Sequence, residues 1–75
     1  MIGEMSVLDR SGDTRIQWNK MNPDELAAAE NRFNEYKGRG FAAFKVNKKG
    51  DKGEQIDAFD PDAERIILVP ALVGG

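Results

Sequence analysis

Arg65-Ile66-Ile67-Leu68-Val69-Pro70 holds four consecutive branched apolar residues, closed by a proline that cannot extend a ladder. A strand with one wet face alternates between apolar and polar; a continuous apolar strand is buried on both faces, or nearly so. This segment therefore belongs at the centre of a sheet, and the remaining elements must be arranged around it. Upstream, Thr14, Ile16 and Trp18 fall on one face of a strand, with Arg15 and Gln17 on the other. Met5-Ser6-Val7-Leu8 reads as its hairpin partner. Between them, in Arg10-Ser11-Gly12-Asp13, Gly12 supplies the positive φ of a tight turn.

A helix is predicted from Pro23 to Lys37. Asn22 is a strong N-cap, Pro23 suits the first helical position, and Asp24 and Glu25 suit the positive end of the helix dipole. Glu25 stands where a capping-box partner of Asn22 is expected, and Met21 with Leu26 occupy the hydrophobic-staple positions. Leu26, Ala29, Phe33 and Tyr36 form one apolar stripe, so the helix lies on the sheet. Gly38 is expected to stop it. Phe41 to Val46 reads as a strand with Ala42, Phe44 and Val46 on one face. A shorter strand is expected from Gln55 to Phe59 and a turn at Asp60-Pro61-Asp62. The order is strand, strand, helix, strand, strand, strand. Placing the last strand beside and parallel to the first, with the helix across one face, gives an α+β domain with a mixed sheet of four to five strands.

The 75 residues suffice for one domain, with little room for a deep catalytic pocket. There is no cysteine and no histidine. This excludes disulfides, thiolate and imidazole metal sites, cysteine nucleophiles and histidine acid–base chemistry. A net charge of −2 argues against broad nucleic-acid binding. No apolar run approaches the roughly 20 residues of a membrane span. Met1-Ile2-Gly3-Glu4-Met5 lacks the blocks of a signal peptide, so a soluble cytoplasmic protein is expected. Lys48, Lys49 and Lys52 read as a solvated loop. Asp57, Asp60, Asp62 and Glu64 read as a turn with capping aspartates, without calcium-loop spacing.

After Pro70 the sequence continues Ala71-Leu72-Val73-Gly74-Gly75. The order of elements, with a last strand running into Gly-Gly, resembles the ubiquitin-like β-grasp proteins. The apolar tail is closer to the sulfur carriers of thiamine and molybdopterin synthesis than to ubiquitin, whose tail is basic before its glycines. The likeness in residues is confined to the last strand and tail. It implies a β-grasp domain over residues 1–70 and a flexible tail over 71–75. It further implies a carrier or modifier, not an enzyme. An adenylating enzyme, using its own ATP, would activate the carboxylate of Gly75 for conjugation to a protein target or for sulfur transfer to an acceptor enzyme. The chain itself would have no cofactor and no catalytic residue. The chemistry fits: two glycines let the backbone thread a narrow site, and Pro70 to Gly75 reach up to about 20 Å when extended. Ala71, Leu72 and Val73 would be the contacts read by the partner. The alternative is a non-covalent binding or structural module, part of a larger viral or bacterial assembly, in which the diglycine is incidental.

Overall fold

The computed structural model describes residues 2–9, 12–47 and 53–70. Five strands and one helix follow in the order β1 (Ile2–Asp9), β2 (Gly12–Asn19), α1 (Pro23–Gly38), β3 (Phe41–Val46), β4 (Glu54–Ile56) and β5 (Arg65–Pro70). They build one mixed sheet of order β2-β1-β5-β3-β4. The apolar strand β5 is central, as its composition requires. It runs parallel to β1, with Met5 opposite Ile66 and Val7 opposite Leu68, and antiparallel to β3, with Ala43 opposite Leu68. The result is a small α+β domain with one helix packed on a mixed five-stranded sheet.

Register places Met5 and Val7 of β1, Trp18 of β2, Ala43 of β3, and Ile66 and Leu68 of β5 on the same face, all buried. Ala29 and Phe33 of α1 close this face from above, with Leu26 and Tyr36 half-buried at the margins. Phe59, from the segment after β4, fills the end of the core. Its ring meets Trp18 edge-on at 5.1 Å and Phe33 at 5.8 Å between centroids, the offset geometry that aromatic quadrupoles favour. The Trp18 indole N–H, otherwise orphaned by burial, donates to the Pro61 carbonyl at 3.3 Å.

The helix start follows the sequence, with two differences. Asn22 Oδ1 accepts the N–H groups of Asp24 and Glu25 at 3.0 and 3.3 Å. Glu25, however, accepts the N–H of Asn19 rather than that of Asn22, at 2.9 Å, and is steadied by Asn22 Nδ2 at 3.0 Å. Asn22 N–H is already spent on the Asn19 carbonyl in the preceding turn. The staple is not closed: Met21 is 84 % exposed. At the other end Gly38 is still helical, and the chain turns at Gly40, whose φ of +95° only glycine adopts freely. Gly12 does take positive φ, +127°, opposite Asp9 in the hairpin; Arg10 and Ser11 lie outside the described residues. Strand β4 is shorter than expected, because 57–59 leave the sheet to bring Phe59 into the core.

Candidate functional site

The residues that the sequence singles out, Ala71, Leu72, Val73, Gly74 and Gly75, lie outside the described residues, as do Lys48, Lys49 and Lys52. What is described is the platform from which the tail sequence departs. Strand β5 ends at Pro70, which is exposed and lies opposite Phe41, the first residue of β3.

The second feature is the sheet face turned away from α1. Across it the register aligns Gln17, Glu4, Arg65 and Val46 in one row. Arg15, Ser6, Ile67, Phe44 and Gln55 make the next. Val69 and Ala42 follow beyond. The β1–β2 half is polar, whereas the β5–β3 half is an apolar field of Ile67, Val69, Ala42, Phe44 and Val46, all half-buried. Leu8, 40 % exposed, shares this face. Ala42, Phe44 and Val46 share one face, as expected, and it is the face turned away from α1; Ala43 and Phe41 face the helix. One expectation is corrected. Strand β5 is sealed on one side only, through Ile66 and Leu68. The signal for a second apolar surface was present: both phases of β3 and β5 are apolar, which a sheet with one solvated face does not require.

Glu4 joins the two halves. Its carboxylate takes the Arg65 guanidinium at 3.4 Å and the Gln17 amide at 3.3 Å. At the β3–β4 end, Lys45 meets Asp60 at 3.0 Å beside a cleft of about 380 Å³ that Glu54, Asp62 and Glu64 also line. Their mutual hydrogen bond raises the Lys45 ammonium above its ordinary value and lowers the Asp60 carboxyl. Asp60 Oδ1 also accepts the Asp62 N–H at 3.0 Å, the capping role expected of this turn. Lys20 Nζ donates to the Asp62 carbonyl at 2.9 Å. These bonds clamp 60–62 against β3 and the turn that follows β2. Among the described residues no cluster of three acidic side chains stands close enough to share a metal ion, and no helix is long and apolar enough to cross a membrane. No family model, curated protein or solved structure matches the chain.

Proposed function

We propose that the chain is a β-grasp domain of the ubiquitin-like kind and serves as a carrier or modifier. It is the substrate of an adenylating enzyme and is itself no catalyst. The observation that supports this reading is the order β2-β1-β5-β3-β4 with β1 and β5 parallel and one helix on one face. That order makes the sheet's central strand the one that leads into Ala71-Leu72-Val73-Gly74-Gly75. In this reading Gly75 presents its carboxylate for adenylation, Gly74 gives the backbone a side-chain-free approach, and Ala71, Leu72 and Val73 are read by the enzyme's cleft. The acyl adenylate then passes to a thiol, an amine or sulfide. The test is ATP–pyrophosphate exchange with the cognate activating enzyme. The native chain should support exchange. A chain lacking Gly75 should fold and fail, because its carboxylate falls roughly 3.5 Å short. A chain extended by one alanine should also fail. Equal exchange by all three would overturn the proposal.

A second reading, a non-covalent binding module, is favoured by the open apolar field around the Phe44–Ile67 cross-strand pair. An apolar field rimmed by polar residues is the usual mark of a protein contact. Ile67→Lys should then abolish partner capture while leaving the fold intact, and deleting Gly75 should not affect capture.

A further inference from the structure

Strands β2 and β4 form the two edges of the sheet. The β4 edge is three residues long, and shortness is one way natural sheets avoid added strands. The β2 edge is eight residues long; its register on β1 is unbroken by a bulge, and it holds no proline. Glu4 shows which of its backbone groups face outward. The Glu4 N–H donates to the Glu64 carbonyl at 3.1 Å, so Glu4 directs its main chain toward β5. Successive residues of a strand point their main chains opposite ways, so Gly3, Met5 and Val7 bond their register partners Trp18, Ile16 and Thr14. Asp13, Arg15, Gln17 and Asn19 therefore turn their N–H and C=O groups away from the sheet. The chain satisfies one of these itself, because the Asn19 N–H donates to Glu25 Oε1 at 2.9 Å. No described residue accepts the N–H of Asp13, Arg15 or Gln17, and all three residues are exposed. Asp13 and Arg15 stand side by side on the face turned from α1, and neither forms an ion pair with another described residue.

We infer that the β2 edge is a self-association surface: β2 of a second copy adds to it antiparallel, across a two-fold axis at Thr14, and one sheet runs through both copies. Backbone pairing needs an outward residue of one copy opposite an outward residue of the other, so only alternate registers are open. Charge selects among them. An axis at Arg15 sets Arg15 against Arg15, and an axis at Asp13 sets Asp13 against Asp13; both are unfavourable like-charge pairs. An axis at Ile16 sets Asp13 against Asn19, whose N–H Glu25 already holds. The axis at Thr14 sets Asp13 opposite Arg15 of the second copy and Arg15 opposite its Asp13, so opposite charges meet wherever backbone bonds are exchanged. Thr14 then meets Thr14, a favourable cross-strand pair, and Ile16 lies opposite the second copy's Gly12, which has no side chain to obstruct it. The edge is thus self-complementary, as an isologous contact requires. So short a ribbon buries less than the roughly 1,200–2,000 Å² of a standard interface. The dimer is therefore weak and reversible, and it forms at high protein concentration.

Sedimentation of the full chain from about 0.05 to 2 mM at low ionic strength tests this, because self-association follows mass action and salt screens exposed charges. The average mass of the native chain should climb from monomer toward dimer. Asp13→Arg and Arg15→Asp alter exposed side chains and should leave the thermal melt unchanged. Alone, each variant sets like charges opposite each other at both pairs and should weaken association about tenfold or more. Mixed in equal amounts, the two variants restore opposite charges at both pairs, and the mixture should associate at least as tightly as the native chain. Amide hydrogen exchange reads the ribbon itself: the N–H groups of Asp13 and Arg15 should exchange more slowly in concentrated than in dilute native chain. A native chain that stays monomeric throughout, a mixture that associates no better than its separate variants, or a concentration-dependent slowing that spares Asp13 and Arg15 would each overturn the inference.

Discussion

Gly3 lies directly beneath the Trp18 indole: a Cβ built on Gly3 would stand 2.3 Å from both Cε2 and Cζ2 of that ring. The two residues are register partners across the β1–β2 pair, so the clash cannot be relieved by sliding along the strand. The ring has no free space to retreat into, since Phe59 packs on it and Pro61 holds its N–H. Gly3→Ala should therefore destabilise the domain by about 1–3 kcal/mol through overpacking. Denaturant titration followed by Trp18 fluorescence would measure it. A midpoint equal to that of the native chain would show that the indole yields freely.

Phe33 is fully buried and touches the ring of Phe59. Phe33→Ala should cost about 3–5 kcal/mol, comparable to the whole stability expected of a core this small. Circular dichroism should show a chain largely unfolded at room temperature. A melt shifted by only a few degrees would mean that α1 contributes little to closing the core.

Asn22 carries more than one cap bond, because it also steadies the Glu25 carboxylate that satisfies the Asn19 N–H. Asn22→Ala should cost about 1–2 kcal/mol, toward the upper end for a cap. Glu25→Gln, which retains an acceptor oxygen, should cost less. Thermal melts of the two variants would rank them, and the reverse order would place the main role in the Glu25 charge.

The Lys45–Asp60 pair gives stability a defined dependence on pH. The Asp60 carboxyl is held below its ordinary value near 3.8, chiefly by the Lys45 hydrogen bond and then by the Asp62 N–H. Its contribution is present above that value and is lost as pH falls through the lower, folded-state value. Lys45 is raised above 10.5 by the same bond, so its share is present below that value and is lost as pH rises through the higher one. Asp60→Asn keeps an oxygen for the Asp62 N–H but removes the charge. The melting difference between native and variant chains should be largest near neutral pH and should vanish toward about pH 2. A difference that persists undiminished in acid would assign the effect to packing.

Much of this architecture was legible because several independent signals agreed. The run Ile66–Val69 demanded a central strand and has one, and Asn22-Pro23 marked the helix start to the residue. Where the reading slipped or was silent, two answers satisfied the same local pattern. Phe41 and Ala43 are as apolar as Ala42 and Phe44, so alternation could not say which face of β3 meets the helix. Gly38 and Gly40 both fit a helix stop, and only the backbone geometry selects Gly40. Phe59 reads as the end of a strand, yet the core end needs an aromatic between Trp18 and Phe33, a long-range requirement that no local window contains. The tail, Ala71 to Gly75, lies outside the described residues, and its chemistry rests on the sequence alone.

The parallel pairing of β1 with β5 joins the first described strand to the last. During synthesis the ribosome delivers β1, β2, α1, β3 and β4 before the strand that bridges them. Until β5 emerges, β1 and β3 have no common neighbour, and the floor under Phe33 lacks Ile66 and Leu68 between Met5, Val7 and Ala43. Folding of this domain is thus deferred until β5 has been delivered, when long-range closure of the sheet can follow. A nascent chain stalled before Arg65 would present an unroofed apolar floor to chaperones and proteases, and only the finished domain would escape them.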